Sequence, residues 1–139
     1  MPLVRISLLK GKSAEYRRSI GDAVHQALME TIAVPAKDRF QLIGEHDPEE
    51  FVYDPEYLGI HRSSELVIIQ ITMSAGRTMD QKRALYRRIV ERLGAAAHLR
   101  PEDVWINLVE VAKENWSFGN GVASYAPAPT AEVAQSGGN

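Results

Sequence analysis

The chain has 139 residues, the usual length of one domain, and its 45% hydrophobic and 24% charged residues exclude a disordered or fibrous protein. The formal charge of -2 argues against binding nucleic acid by phosphate neutralisation, and the lack of cysteine excludes disulfides, thiolate metal sites and thiol nucleophiles. The chain also lacks a signal-peptide pattern and a run of about 18 apolar residues, so we expect a soluble cytoplasmic protein that does not bind membranes.

The first half of the chain predicts a strand, a helix and a second strand. Residues Leu3–Leu9 are mostly apolar or β-branched and precede a glycine turn, which is typical of a strand. Ser13 is suited to cap the helix that follows, whose apolar residues recur at three- and four-residue spacing. These are Ile20, Val24, Ala27, Leu28 and Ile32. The helix ends before Pro35, because the residue before a proline avoids helical angles, and Arg39–Ile43 is the second strand.

The second half repeats this order of elements. Residues Glu65–Met73 form a strongly apolar strand, and Thr78 and Gln81 have the spacing of a capping box at the start of a helix. Residues Val104–Val109 form the last strand. Corresponding positions in the two halves are always 65 residues apart. The pairs are 13 and 78, 20 and 85, 24 and 89, 28 and 93, and 38 and 103.

This repetition predicts an α/β (α+β) fold made by tandem duplication. Two βαβ units, at about residues 2–44 and 65–110, each join two parallel strands through a right-handed crossover helix. Together they form a four-stranded mixed sheet with both helices on one face, within a single domain of residues 1–125. Because the other face also carries apolar residues that would be wet in a monomer, we expect a closed homo-oligomer.

Three segments lie outside the two βαβ units. Residues 45–64 form a long connection for so small a protein, and we expect them to cover a site or contribute to it. An Asn-Gly pair between apolar residues predicts a C-terminal β-hairpin at residues 116–125. Residues 126–139 consist mainly of small residues and proline and are expected to be a flexible tail.

Pro2 offers chemistry that no other residue of the chain offers. Met1 is expected to be removed because a small residue follows it, and the ring nitrogen of Pro2 then becomes a secondary amine. Such an amine acts as a base when neutral, as an acid when protonated, or as a nucleophile towards a carbonyl group. Proline is common at the second position, so this amine indicates catalysis only together with the pattern around it.

That pattern resembles the tautomerase superfamily, in which an amino-terminal proline is the catalytic group. Within it, the chain is most similar to the malonate semialdehyde decarboxylases and their close relatives, from Pro2 to about Tyr125. The similarity rests on Val34–Gln41, which contains Asp-Arg-Phe-Gln, on Gly59–Ser64, and on Trp116–Gly121, which begins Trp-Ser-Phe-Gly. It implies the tautomerase fold, a homotrimer and an enzyme that needs no cofactor.

The resemblance also implies roles for individual residues. Pro2 is the protonated acid that polarises a substrate carbonyl, Asp38 positions or activates water, and Arg77 anchors a carboxylate. Arg62 is a candidate for a second cation, and aromatic residues wall an apolar pocket. These are Trp116, Phe118 and Tyr125. The expected substrate is a small 3-oxo acid, because loss of CO2 leaves enolate charge that a nearby cation stabilises.

The loop Ser74–Arg77 departs from the family pattern, because it carries one arginine where the decarboxylase has two. This leaves open decarboxylation with a hydratase side activity, hydration or dehalogenation of another small acid, and keto-enol tautomerisation. The residues alone also admit structural roles: Asp38 in a turn, Arg77 as a solvated cation, and the aromatic residues as the seal of a core or subunit contact.

Other classes of protein remain as competing hypotheses. A ferredoxin-like ligand-binding domain has the same order of strands and helices and needs no free amino terminus. A catalytically silent oligomer is the third hypothesis. A metal centre is not expected, since the four histidines lack the spacing of metal ligands, and we expect them at surface or boundary positions.

Overall fold

The computed structural model describes residues 2–125, so the tail predicted at 126–139 lies outside the described residues. The fold consists of four strands and two long helices joined by loops and short 3₁₀ turns. The strands are β1 (Leu3–Leu9), β2 (Phe40–His46), β3 (Val67–Ser74) and β4 (Val104–Val111), and the helices are α1 (Ala14–Ile32) and α2 (Met79–Ala97). Each strand lies where the sequence predicts one, with its ends shifted by three residues or fewer.

The four strands form one mixed sheet in the order β2-β1-β3-β4. β1 and β2 pair in parallel, as do β3 and β4, and the two pairs meet through antiparallel β1 and β3. The two strands of each βαβ unit are therefore direct neighbours, as predicted. In the split arrangement of a ferredoxin-like sheet another strand separates them, so the ferredoxin-like hypothesis is wrong.

The register brings four chain segments to one end of the sheet. Leu3 of β1 is opposite Phe40 of β2 and Thr72 of β3, and Thr72 is in turn opposite Val109 of β4. β1 and β2 therefore start where β3 and β4 end. Pro2, the turn before β2 and the loops after β3 and β4 share this end, which we call the Pro2 end of the sheet.

Polar side chains cap both long helices at the predicted residues. The Oγ of Ser13 accepts a hydrogen bond from the Tyr16 amide at 3.0 Å. Thr78 and Gln81 form a complete capping box, in which each side chain accepts a hydrogen bond from the backbone amide of the other. Because amides in the first turn lack helical partners, a cap of this kind typically contributes about 1 kcal/mol to stability.

One apolar core lies between the sheet and the two helices. It contains the inward side chains of β1 and β3 together with the predicted stripes of both helices, which confirms those assignments. Ile6, Ile69, Leu28 and Leu85 are among its fully buried members, and burial of one such side chain is worth about 1.5–3 kcal/mol. Since both helices share this core, they cover the same face of the sheet. Neither α1 nor α2 combines the length and hydropathy of a membrane-spanning helix, and residues 2–125 contain no other helix of that length.

The structure repeats at the same interval of 65 residues as the sequence. The helices α1 and α2 have 19 residues each, and both end at a residue with a φ of 56°, Ala33 and His98. Two ion pairs correspond in the same way: Arg17 with Glu45, and Lys82 with Glu110. The 3₁₀ turns Pro48–Glu50 and Lys113–Asn115 correspond too, so the duplication includes the segments that follow β2 and β4.

The second face of the sheet has no helix on it within the described chain. This bare face carries exposed apolar side chains, among them Phe40, Leu42 and Trp105. At its centre, the Nε2 of Gln70 donates a hydrogen bond to the Oδ1 of Asn107 at 3.0 Å. Burial of apolar surface is worth roughly 25 cal/mol per Å², so the bare face favours self-association.

Two local features differ from the prediction. Residues 116–125 fold back through a turn at Asn120, but none of them forms a strand. In place of the expected strand ladder, a side-chain hydrogen bond closes this loop: the Phe118 amide donates to the Oγ of Ser124 at 3.1 Å. His25 is buried rather than at a boundary, since its Nε2 lies 2.8 Å from the carbonyl oxygen of Ala36.

Candidate active site

Pro2 is buried at the start of β1 and lines a cavity of about 240 Å³. Two strands and one loop supply the rest of the lining. The lining residues are Leu3, Phe40, Trp116, Ser117 and Phe118. Leu3 and Phe40 are opposite each other in β1 and β2, whereas the other three come from the segment after β4. An amine formed at Pro2 would therefore lie against aromatic rings in a small cavity.

The aromatic residues predicted as pocket walls are brought together. The ring centroids of Trp116 and Phe118 are 5.4 Å apart with 26° between the planes, and Phe118 meets the ring of Tyr125 edge-on at 5.3 Å. Aromatic pairs of this kind are worth about 0.5–1.5 kcal/mol beyond their buried area. The backbone amide of Ser124 closes the loop by donating to the carbonyl oxygen of Trp116 at 3.2 Å.

Ser74 joins the aromatic wall to the arginine loop. Its side chain is buried, with 1% of the residue exposed, and its Oγ accepts a hydrogen bond from the Nε1 of Trp116 at 3.1 Å. Its carbonyl oxygen accepts a hydrogen bond from the Nη1 of Arg77, also at 3.1 Å. One residue at the end of β3 thus positions both Trp116 and Arg77. Sequence reasoning missed this role, since a small polar residue in a loop is its only local signal.

Arg77 lies at the Pro2 end of the sheet, in a separate cavity of about 410 Å³ whose lining includes Gly76, Gln81, Lys113 and Tyr125. Gly76 has a φ of 126°, which favours glycine and lets the chain turn from β3 towards α2. The pKa of Glu110 is lowered from its usual value, mainly by the hydrogen bond that Lys82 donates to it. Burial acts in the opposite direction, and the positive charge of Arg77 lowers the pKa slightly further. Glu110 forms its ion pair with Lys82, and residues 2–125 contain no ion pair between Glu110 and Arg77.

Asp38 lies in the turn before β2, at the Pro2 end, but it does not line the cavity that contains Pro2. The residues after it bind this turn to α1. The Nη2 of Arg39 donates to the Oδ1 of Asp22 at 2.7 Å and to the Oε1 of Gln41 at 3.0 Å. The Nε2 of Gln41 in turn donates to the carbonyl oxygen of Gly21 at 2.8 Å.

Arg62 is not brought to Pro2 within one chain. With Leu66 and Trp105 it lines a cavity at the opposite end of the sheet, where β3 and β4 begin. The reason is the direction of β2: it runs parallel to β1, so the segment that follows it starts away from Pro2. The second cation expected at the Pro2 site is therefore not Arg62 of the same chain, and Lys113 lies in the cavity of Arg77 instead.

In residues 2–125, no three His, Asp or Glu side chains converge in the manner of metal ligands. His25 is engaged with the backbone of Ala36, and the ring of His46 stacks on Phe51 with centroids 5.7 Å apart. The Pro2 end thus offers a potential amine, the cations Arg77 and Lys113, the carboxylate of Asp38 and aromatic walls.

Comparison with known proteins identifies the family. Two family profiles, each described as tautomerase enzyme, match residues 38–119, which is more than half of the chain, and residues 2–60. Probable tautomerase YusQ of Bacillus subtilis (strain 168) is 43% identical over 123 residues, covering 88% of this chain and 97% of that protein. Probable tautomerase YrdN of the same organism is 31% identical over 125 residues, covering 90% of this chain and 96% of that protein.

Solved structures share the fold. FG41 malonate semialdehyde decarboxylase inhibited by 3-bromopropiolate is 44% identical, with a TM-score of 0.83 over 88% of this chain and 93% of that one. A malonate semialdehyde decarboxylase solved in wild-type, mutant and inactivated forms is 34% identical, with a TM-score of 0.82 over 88% and 94%. A symmetric trimer of fused 4-OT, 19% identical with a TM-score of 0.72 over 86% and 94%, shows the fold alone. The family profiles and the relatives together show that this chain belongs to the tautomerase superfamily of enzymes.

Proposed function

We propose that this chain is a cofactor-independent decarboxylase of a small 3-oxo acid such as malonate semialdehyde (3-oxopropanoate), with Pro2 as its catalytic group. The proposal requires removal of Met1, which converts the Pro2 nitrogen into a secondary amine. The observation that carries it is the cavity that Pro2 shares with Trp116 and Phe118, whose wall is tied through Ser74 to Arg77. An amine, a guanidinium and apolar rings are the groups that this reaction needs.

In the proposed reaction, Arg77 binds the substrate carboxylate and the protonated Pro2 nitrogen donates a hydrogen bond to the aldehyde oxygen. The bond between the carboxylate carbon and the adjacent methylene carbon breaks, CO2 leaves, and the electron pair of that bond forms an enolate. The enolate carbon then takes up a proton from Pro2 or water, so that one 3-oxopropanoate and one proton give acetaldehyde and CO2. The protonated amine stabilises the enolate more than the neutral aldehyde, which lowers the barrier.

The surroundings of Pro2 support this chemistry. Trp116 and Phe118 present ring surface to the cavity that contains Pro2, and a charge interaction beside such apolar surface is stronger than in water. Asp38 lies at the same end of the sheet, and we propose that it positions water in a hydratase side activity. A decarboxylase 34% identical to this chain was solved to explain decarboxylase and hydratase activities, and a variant with alanine in place of its first-position proline was among its forms.

The alternative is a keto-enol tautomerase in which neutral Pro2 acts as a base. The single arginine in the loop Ser74–Arg77 favours it, because one guanidinium holds a carboxylate less tightly than two. Relatives with similar sequence identity to this chain support both functions, since one is a probable tautomerase and another is a malonate semialdehyde decarboxylase. The two mechanisms need opposite protonation states of Pro2. Decarboxylation should slow as Pro2 loses its proton, whereas tautomerisation should accelerate.

We also propose that the chain forms a homotrimer through the bare face of the sheet. Fused 4-OT proteins with this fold were solved as trimers. Leu3 and Phe40 belong to the bare face and also line the Pro2 cavity, so a second copy on this face would border the catalytic group. Size-exclusion chromatography with light scattering should give three times the 15.5 kDa mass of the chain.

Proton NMR of a substrate panel tests the reaction. We expect acetaldehyde from 3-oxopropanoate, and no turnover in Pro2→Ala although the oligomer is intact. Pro48→Ala, at an exposed proline of the opposite end, is the matched control and should keep full activity. Treatment with 3-bromopropiolate, which inhibits the FG41 enzyme, should add mass to the peptide that begins at Pro2.

Three results would overturn parts of this proposal. Unchanged turnover in Pro2→Ala, or intact active protein that retains Met1, removes Pro2 as the catalytic group. Ketonisation of an enol substrate without release of CO2 from 3-oxopropanoate selects the tautomerase. No turnover of any substrate in the panel supports the silent oligomer.

A further inference from the structure

We propose that the opposite end of the sheet holds a second, non-catalytic site, which binds a small monocarboxylate through Arg62. The cavity at this end, which we call the second cavity, has a volume of about 260 Å³, close to the 240 Å³ of the Pro2 cavity. Nothing in its lining depends on the amine of Pro2, so this proposal goes beyond the reaction proposed above and stands separately from it.

The internal duplication places the second cavity as the counterpart of the first. Four of the six residues that line the Pro2 cavity have a counterpart 65 positions away that lines the second cavity. The pairs are Leu3 and Ile68, Phe40 and Trp105, Ser117 and Val52, and Phe118 and Tyr53. The two cavities are therefore one architectural feature that occurs twice, at opposite ends of the same sheet.

The second cavity lacks the groups that catalysis needs. The position that corresponds to Pro2 is Val67, whose nitrogen is a peptide amide inside the chain. The counterpart of Arg77 is Lys12, which is engaged by Glu65 at 2.6 Å and lies over the ring of Tyr16. The hydrogen bond to Glu65 is the main cause that raises the pKa of Lys12. A ligand bound at this end would therefore leave unchanged.

Arg62 gives the second cavity a cation of its own. Its Nη1 donates to carbonyl oxygens at 3.1–3.4 Å. The acceptors are Asp54, Tyr57 and Ile60. The Nε and Nη2 atoms have no hydrogen-bond partner among residues 2–125, and no carboxylate of that part of the chain forms an ion pair with Arg62. The guanidinium is thus anchored through one nitrogen and keeps its Nε–Nη2 edge for the two oxygens of a carboxylate.

The rest of the lining selects the ligand class. Trp105, Ile68 and Tyr57 present apolar surface that suits a short hydrocarbon body. Asp54 lines the same cavity, and its negative charge disfavours a second carboxylate on the ligand. A monocarboxylate with a short apolar chain therefore fits better than a dicarboxylate.

The chain has two tryptophans, and one lies in each cavity. In the variant Trp116→Phe, tryptophan fluorescence reports only Trp105, whose side chain lines the second cavity. Titration of this assembled variant with butanoate should give a saturable change in emission. Neutral butanamide should give no saturable change, and butanedioate should bind more weakly than butanoate.

Substitutions in the same Trp116→Phe background locate the site. Arg62→Gln should weaken butanoate binding at least tenfold, whereas Arg18→Gln, which removes an exposed cation outside both cavities, should not change it. Val52→Glu is a second variant that leaves the bonds of Arg62 intact, because Val52 is 88% exposed at the cavity. The added charge should also weaken binding.

A response that does not saturate, an equal response to butanamide, or full binding in both Arg62→Gln and Val52→Glu overturns the second site. Binding that is lost in Arg77→Gln but kept in Arg62→Gln overturns it as well, since the ligand would then occupy the Pro2 end. These results leave the NMR test of Pro2 unaffected, so the two proposals fail independently.

Discussion

Asp103 is the counterpart of Asp38 in the duplicated halves, and we predict that it stabilises the fold. Only 1% of the residue is exposed. Its Oδ1 accepts the Ser63 amide at 2.7 Å, and its Oδ2 accepts the Ser63 Oγ at 2.7 Å and the Nε of Arg100 at 3.1 Å. These bonds attach the end of the long connection at 45–64 to the start of β4. Removing the carboxylate should therefore destabilise the whole domain.

The expected magnitude follows from these bonds. A hydrogen bond to a charged group contributes about 1.5–3 kcal/mol, and a buried amide left without a partner costs about 1–3 kcal/mol. Because the three bonds share one carboxylate, their contributions do not add, and we expect Asp103→Ala to lower the free energy of unfolding by about 3–5 kcal/mol. Asp103→Asn keeps the shape but turns one acceptor into a donor, so about 1.5–3 kcal/mol should be lost.

The effect of Asp103 should depend on pH with a defined sign. Burial acts to raise the pKa of its carboxyl, but the hydrogen bonds from Arg100 and Ser63 outweigh burial and lower the pKa below its usual 3.8. A carboxyl group whose pKa is lower in the folded than in the unfolded protein stabilises the fold at any pH above its pKa in the unfolded protein. This stabilisation is lost as the pH falls through the pKa of the folded protein. The difference between wild type and Asp103→Asn should therefore be complete at pH 7 and shrink below about pH 4.

Urea unfolding followed by circular dichroism measures this difference, with every protein at the same protomer concentration. Glu102→Gln, which changes the exposed neighbouring carboxylate, is the matched control and should alter stability by less than about 0.5 kcal/mol. A loss below about 1 kcal/mol in Asp103→Ala at pH 7, or a difference that does not change with pH, would refute the reasoning.

Three further predictions concern the Pro2 end and the turn next to it. Arg77→Gln should raise KM for carboxylate substrates about 10- to 150-fold, since a charge-assisted pair is worth about 1.5–3 kcal/mol; an unchanged KM in steady-state assays would mean that Arg77 does not anchor the substrate. Trp116→Phe keeps a ring but leaves the Oγ of Ser74 without its donor, so kcat/KM should fall about 2- to 12-fold for a lost neutral bond of about 0.5–1.5 kcal/mol. Equal kcat/KM in the two proteins would argue against Ser74 as a positioning residue. Gly21→Ala places a Cβ 2.6 Å from the Oε1 of Gln41, the far end of a flexible side chain, so Gln41 must turn aside and lose its hydrogen bond to the Gly21 carbonyl oxygen. The lost bond, about 0.5–1.5 kcal/mol, and the gain of about 0.5–1 kcal/mol for alanine over glycine inside a helix nearly cancel, so thermal unfolding should show a change below about 1 kcal/mol; a loss above about 2 kcal/mol would show that Gln41 cannot turn aside.

Features that depend on a few neighbouring residues were determined by the sequence alone. The caps at Ser13 and Thr78 form as predicted, because a cap needs only residues within one turn of helix. The buried stripes of both helices follow from three- and four-residue spacing, and the 65-residue repeat predicted two equivalent βαβ units. Strand ends were less accurate: β2 continues to His46 because that residue pairs with Leu9, a contact that local pattern does not contain.

Features that depend on contacts between distant residues were decided only by the tertiary structure. Ser74 and Trp116 are 42 positions apart, and their hydrogen bond joins the aromatic wall to Arg77 only because β3 and β4 end side by side. Arg62 was a candidate to replace the second arginine missing from the loop Ser74–Arg77, but β2 carries the following segment to the other end of the sheet, where Arg62 and Trp105 line one cavity. The spacing of residues along the chain indicates which of them could contribute to a site, whereas the direction and register of the strands decide which of them come into contact.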